Sequence, residues 1–309
     1  MTTPIRLGLV GLGTIARNQH LPALAATDGL ELVAIASRHA SLPDLPGYHD
    51  IEEMLKGQSG MDAVSLCTPP QGRYAQVRAA LLAGCHVMME KPPGATVTEV
   101  EALAALARQK GLTLYATWHS RRAAAVEPAR ALLAESKVRS VEIVWREDVR
   151  HWHPGQQWIW EPGGLGVFDP GINALSILTR IMPEPVLALD AELDVPANRQ
   201  APIAARVDMV SASGVPIKAD FDWRQTGPQT WDIRIITDRG EVLVRDGGAK
   251  LLIDGESRLE APDEEYRRLY QRFEELVRAG ESEVDLRPLQ LVADAFLMGR
   301  RIEVEPFDD

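Results

Sequence analysis

The chain has 309 residues, 45% hydrophobic and 25% charged, with a formal net charge of −11 and a pI near 5.2. That length accommodates two domains that each bury a core, and the absence of a lysine or arginine cluster excludes nucleic acid as a partner, because phosphate binding needs clustered basic side chains. No apolar run approaches the roughly 18 residues of a membrane span, and Pro4 leads straight into a strand with no charged-then-apolar leader, so a cytoplasmic protein with no membrane partner is expected.

In chain order, Leu7-Gly8-Leu9-Val10 reads as a buried strand that turns through Gly11-Leu12-Gly13-Thr14-Ile15-Ala16 into a helix, and Leu32-Val33-Ala34-Ile35-Ala36 is a second strand. Strand, glycine turn, helix and strand in this order form a βαβ unit, in which the N–H groups at the helix start can meet a pyrophosphate. The second strand ends in Ser37-Arg38-His39. An acid there would hold the ribose 2′-OH of NAD, whereas a hydroxyl followed by a guanidinium suits the 2′-phosphate of NADP. NADP is therefore the expected cofactor, with NAD also usable because an arginine can stack on adenine. Gly11, Gly13, Thr14, Ile15, Ser37, Arg38 and His39 are its candidate ligands.

Asp50 is expected to cap a short helix running to Leu55, and Met61–Cys67 to form a strand closed by Thr68-Pro69-Pro70. A helix follows over 72–83, then a strand over 86–89 that stops at Glu90-Lys91-Pro92-Pro93, a helix over 99–109, and a strand over 112–117 that leads into Trp118-His119. This alternation predicts a doubly wound parallel sheet over residues 1–120. Cys67 and Cys85 lie in or beside apolar strands, which suits reduced thiols and gives no support to a disulfide or a metal site.

Beyond a helix at about 121–135 the pattern changes. Strands are predicted over 138–149, 186–193, 204–211, 217–223, 231–237, 241–245 and 251–254, with one helix near 171–181 among them and two more over 266–279 and 288–301. Tight turns between consecutive strands predict an α+β domain over 121–309 with an open, largely antiparallel sheet, through which a homo-oligomer could form.

Nucleotide ligands in open α/β sheets sit at the carboxyl ends of the strands, so the corners Cys67-Thr68-Pro69, Glu90-Lys91-Pro92 and Thr117-Trp118-His119 are candidate site segments. Lys91, fixed between a strand end and a proline, is suited to stabilise charge developing on a substrate oxygen.

Glu90-Lys91-Pro92, Ala83-Gly84-x-His86-Val87, the strand Asp62–Pro69 and the Gly11-x-Gly13 turn together resemble the Gfo/Idh/MocA oxidoreductases. The resemblance extends through Gly163–Asn173, which is similar to the family's glycine-rich turn into a helix bearing Asp-x-x-x-His, except that Asn173 stands where the wider family carries histidine. More narrowly, His151–Pro162 is similar to bacterial L-arabinose and D-galactose 1-dehydrogenases. The resemblance implies an NAD(P)-dependent enzyme with a Rossmann-type first domain that oxidises an aldopyranose such as L-arabinose, D-galactose or D-fucose at C1 to the lactone. Another dehydrogenase of the family, acting on inositol or a dihydrodiol, and a non-catalytic NADP-binding sensor are the competing readings.

Within that reading the catalytic residues are Lys91, Asp169 and Asn173. Asp169 and Asn173 lie four apart on a helix and face the same way. Asparagine orients a hydroxyl but cannot take its proton at neutral pH, so Asp169 is the favoured base, with Lys91 supplying positive charge. Sugars need flat apolar surfaces together with fixed donors and acceptors. His119, Glu147, Trp152, His153 and Trp231 are the expected substrate-binding residues, and Cys67, Thr68, Pro69, Glu90 and Lys91 complete the cofactor-binding set.

Overall fold

The computed structural model describes residues 3–308, and these divide into two compact units. One comprises the chain up to His119 together with Glu265–Leu286, the other Ser120–Glu264 with Arg287 onwards. The single boundary expected at 120/121 is thus only the first of three crossings, because the chain returns to the first unit through the helix Glu265–Ala279. That helix carries apolar residues at helical spacing, and Tyr266, Leu269, Tyr270, Phe273 and Leu276 bury one face against Leu7, Leu30, Met88 and Tyr115.

The first unit is built on six parallel strands, β1 (Ile5–Val10), β2 (Leu30–Ala36), β3 (Gly47–Tyr48), β4 (Ala63–Leu66), β5 (His86–Met89) and β6 (Leu114–Ala116), in the order β3-β2-β1-β4-β5-β6. This is a doubly wound sheet whose strand order reverses between β1 and β4, the position at which such folds bind ligands. Apart from the short edge strand β3, its strands are largely apolar runs because both faces are covered. As expected, Asp50 caps the helix Ile51–Gly57 by accepting the Glu53 N–H at 2.9 Å; the helix foreseen at 99–109 starts earlier, at Val97, because Thr96 caps it by accepting the Glu99 N–H.

The second unit carries nine strands: β7 (Val138–Arg146), β8 (Val186–Pro196), β9 (Ala204–Ser211), β10 (Pro216–Asp222), β11 (Thr230–Thr237), β12 (Gly240–Arg245), β13 (Lys250–Ile253), β14 (Glu256–Glu260) and β15 (Arg300–Val304), ordered β14-β13-β12-β11-β7-β10-β9-β8-β15. Only β7–β10 and β8–β15 pair in parallel. One face is open and charged. Arg206, Asp220, Val144 and Asp232 are successive neighbours across it, and Arg206–Glu192, Arg146–Asp220 and Arg245–Asp232 pair across strands.

Several boundaries differ from the sequence reading. β7 stops at Arg146, since Asp148 turns inward on the chain and caps a short helix, Val149–Trp152. The helix foreseen at 121–135 is shortened to Val126–Ala134 behind a single 3₁₀ turn, His119–Arg122. The helix foreseen at 288–301 ends at Met298, and Arg300–Val304 becomes an edge strand along β8. The helix near 171 begins earlier, at Phe168, so Asp169 lies within its first turn and not at its cap.

Candidate active site

At the carboxyl end of β1 the backbone turns through Gly11, whose φ of +89° and closeness to Thr68 (3.1 Å from a built Cβ to the Thr68 nitrogen) admit no side chain. A Cβ built on Gly13 meets nothing within 4 Å. Gly13, Thr14 and Ile15 are exposed where the next helix starts, and first-turn N–H groups there lack intrahelical acceptors. These features fit a pyrophosphate laid over the turn. At the end of β2, Ser37 is half-buried with its N–H on the Tyr48 carbonyl (2.9 Å), while Arg38 and His39 are exposed. Cys67 continues the β1–β4 pairing by donating its N–H to Val10 O (2.8 Å) and is half-buried with a free thiol. Thr68 bonds Gln76 at 2.7 Å, and Pro69 is exposed.

Two corners of this sheet are tied together by Arg73, a residue the sequence reading passed over. It is 2% exposed, and its guanidinium donates to the carbonyls of Thr68, Glu90 and Pro92. The Lys91–Pro92 peptide is cis.

Glu90, expected beside the cofactor, has its side chain turned into the core and is 5% exposed. Its Oε1 accepts the Tyr266 hydroxyl (2.7 Å) and lies 3.2 Å from His20 Nε2, while Oε2 accepts the Lys91 N–H (2.6 Å). Burial alone would raise its pKa, but the hydrogen bond and charge of His20, helped by His119 and Lys91, bring it down to about 2. His20 is fully buried, and its Nδ1 meets Tyr270 OH at 2.7 Å. Desolvation opposes its protonation, yet Cys67, Tyr270 and Glu90 together hold its pKa well above the ordinary 6.5. His119, expected to bind sugar, is stacked on Tyr266 (5.3 Å between ring centres) with Nδ1 2.5 Å from Glu265 Oε2. Burial works against its charge, but Glu265 and Glu90 together outweigh burial, so its pKa is raised.

The second unit gathers most of the remaining predicted residues. Glu147, 3% exposed, accepts the indole N–H of Trp223 on Oε1 (3.2 Å) and that of Trp231 on Oε2 (2.9 Å). Trp231 in turn stacks on Trp145 (5.8 Å between centres) and touches Trp152 (5.3 Å), which is 42% exposed. Glu147 is therefore a clamp that sets two indole planes, and an exposed aromatic surface lies next to them. Trp223 was missed in the sequence, where it is one apolar residue closing a strand.

Asp169 is 2% exposed and lies 3.4 Å from His153 Nε2. The turn before it is fixed by Gly166, whose φ of +54° and contact with Pro202 exclude a Cβ. An indole N–H can only donate, so the Gln156 atom 3.0 Å from Trp158 Nε1 is oxygen. That oxygen also faces His153 Nδ1 at 3.5 Å. An imidazole thus stands beside Asp169 although residue 173, half-buried one helical turn further on, is asparagine.

Among the described residues, no group of three or more His, Cys, Asp or Glu side chains is arranged to hold a metal ion, and no helix is long and apolar enough to cross a membrane.

Residues 5–117 match the model of the Gfo/Idh/MocA oxidoreductase family with an NAD-binding Rossmann fold. Over 99% of both chains, the sequence is 44% identical to a galactose 1-dehydrogenase of Pseudomonas fluorescens. The crystal structure of a D-galactose-1-dehydrogenase protein from Rhizobium etli superposes with a TM-score of 0.96 and 54% identity, covering 100% of this chain and 99% of that one. A 3-ketoreductase from Actinomadura kijaniata, crystallised with NADP and TDP-benzene, shares the fold at a TM-score of 0.85 and 21% identity, covering 98% of this chain and 100% of that one.

Proposed function

We take as our premise that the chain belongs to the Gfo/Idh/MocA family of oxidoreductases, and we propose that it oxidises a galacto-configured aldopyranose at C1 to the lactone with NADP or NAD. The observation that carries this reading is the end-to-end similarity to galactose 1-dehydrogenase. Bound over the Gly11–Gly13 turn, the nicotinamide dinucleotide would accept the hydride leaving C1. Ser37 and Arg38 support a preference for NADP, because they offer a hydroxyl and a guanidinium where an acid would repel a 2′-phosphate. Cytoplasmic residence and a homo-oligomer formed through the open sheet belong to the same reading.

Residue by residue, Lys91 supplies positive charge to O1 as hydride leaves, and Asp169 takes the O1 proton, with His153 sharing it. Asn173 orients a ring hydroxyl. Trp152 and Trp231 offer flat surfaces to the C–H face of the sugar, and Glu147 acts through Trp231 by fixing its plane. His119 holds a hydroxyl from the end of the first sheet. L-Arabinopyranose and D-galactopyranose share the configuration at C2, C3 and C4, so one set of partners serves both sugars and D-fucose.

The test is the specificity constant for L-arabinose, D-galactose, D-fucose, D-glucose and myo-inositol, each with saturating NADP and with NAD. D-Glucose, inverted at C4, should fall behind D-galactose by roughly 10- to 100-fold, the cost of one unsatisfied buried partner. Preference for D-glucose or myo-inositol would overturn the substrate assignment, and no turnover with any sugar would favour a non-catalytic dinucleotide binder. In the same assay Ser37→Asp with Arg38→Ala should raise the KM for NADP about tenfold more than that for NAD; equal changes would move phosphate recognition to His39 or beyond.

A further inference from the structure

The buried hydrogen-bond set around Glu90 is not used by any step above. It joins four elements of the first unit: the end of the glycine-turn helix (His20), β4 (Ser65), the end of β5 (Glu90) and the helix Glu265–Ala279 (Tyr266, Tyr270). Ser65 Oγ lies 3.1 Å from Tyr270 OH, which lies 2.7 Å from His20 Nδ1. On the other side of the ring, His20 Nε2 reaches Glu90 Oε1, and that oxygen also accepts the Tyr266 hydroxyl. Both tyrosines contact the His20 ring edge-on, at 4.9 and 5.7 Å between centres, so the imidazole is caged.

We propose that Glu90 is a positioning residue for Lys91: its Oε2 fixes the Lys91 N–H, and His20 and Tyr266 fix its Oε1, so the lysine stem is held by the same set that anchors the glycine-turn helix. The inference rests on the role given to Lys91 above. A carboxylate buried at this depth costs free energy that an apolar residue would avoid. Core filling alone would not require an acid here, still less one whose second oxygen is spent on the N–H of the very next residue. Tyr266 and Tyr270 lie one helical turn apart on the returning helix, which places both hydroxyls against this one acid–imidazole pair.

The experiment compares native protein with Glu90→Gln, Glu90→Asp and Tyr266→Phe. It measures kcat and KM for D-galactose with NADP and, separately, the rate of acetylation of Lys91 by acetic anhydride, followed by mass spectrometry of the Lys91 peptide. Glu90→Gln should lower kcat about 100-fold, the effect of a misplaced group, while KM for D-galactose changes about threefold or less. Glu90→Asp, one methylene short, should recover less than about tenfold of that loss, and Tyr266→Phe should cost about tenfold in kcat. The Lys91 acetylation rate should shift by about fivefold or more in Glu90→Gln and Tyr266→Phe, as expected for a displaced amine. Folded variants with kcat within twofold of native and an unchanged acetylation rate would overturn the proposal. Tyr266→Phe removes a single oxygen and decides the matter should Glu90→Gln not fold. If the native protein turns over no sugar, the functional reading fails, and the acetylation rate alone still decides the positioning claim.

Discussion

Each unit buries one glutamate at a strand end, and the two are satisfied by opposite chemistry. Glu90 meets an imidazole, a phenol and the backbone N–H of a lysine, whereas Glu147 meets two indoles. The first arrangement keeps charge in place and ties down the backbone of a lysine. The second spends a charge to orient neutral plates. One fold element, a carboxylate at the carboxyl end of a buried strand, thus serves electrostatics in one unit and shape in the other, and the difference lies wholly in which donors the neighbouring elements supply.

The contrast can be tested first at the proposed catalytic residues and at one of the indole plates. Lys91→Ala and Asp169→Ala should each lower kcat by about 1,000-fold with a smaller change in KM, because the charge they meet grows only in the transition state. Trp231→Phe should act mainly on KM. Near-native turnover by Asp169→Asn across neutral pH would remove Asp169 as base and give that role to Lys91 or water.

A smaller effect is expected at Glu147 itself. Glu147→Ala leaves two indole N–H groups without their acceptor and should cost about 2–4 kcal/mol in denaturant unfolding, together with a raised KM for sugar. Glu147→Gln, which keeps one acceptor, should cost less. If both variants bind sugar as native protein does, the plates are not what the clamp is for.

The smallest and most specific effect separates the units by pH. The Glu90 pKa is depressed to about 2, so its contribution to stability is present above the ordinary value near 4.5 and is lost as pH falls toward 2. The His20 pKa is raised, so its contribution is full below about 6.5 and is lost as pH rises through the folded value. The stability gap between native protein and His20→Gln/Glu90→Gln, measured by urea unfolding, should be widest between about pH 4.5 and 6.5 and narrow on both sides. A gap that is flat with pH would mean that the pair contributes packing alone.

Five of the six parallel strands were legible because they are buried on both faces and leave largely apolar runs, stopped by polar, glycine or proline corners; the two-residue edge strand β3 (Gly47–Tyr48) leaves no such run and was not. β15 was not legible: Arg300-Arg301-Ile302-Glu303-Val304 continues the polar-apolar texture of the preceding helix, and only its place along β8 makes it a strand. The amphipathic period of Glu265–Ala279 announces a buried face but cannot say which sheet receives it, and Tyr266 and Tyr270 were hidden with it. At the site, Lys91 and Asp169 stand out through their flanking prolines and glycines. His20 does not, since a single histidine in a helix carries no pattern. Sequence could place Glu147 at a strand end but could not foretell that two indoles, one 76 and one 84 residues away, would claim its oxygens.

The return of Glu265–Ala279 to the first unit also sets an order of assembly. A nascent chain emerges N-terminal end first, and when His119 has been made, the sheet surface of Leu7, Leu30, Met88 and Tyr115 still lacks the helix that covers it. The intervening Ser120–Glu264 must be synthesised before Tyr266 can reach Glu90 or Tyr270 can reach His20. The sheet of the first unit is therefore covered on this face only once Glu265–Ala279 has been made, and the Glu90 corner gains its Tyr266 partner only then.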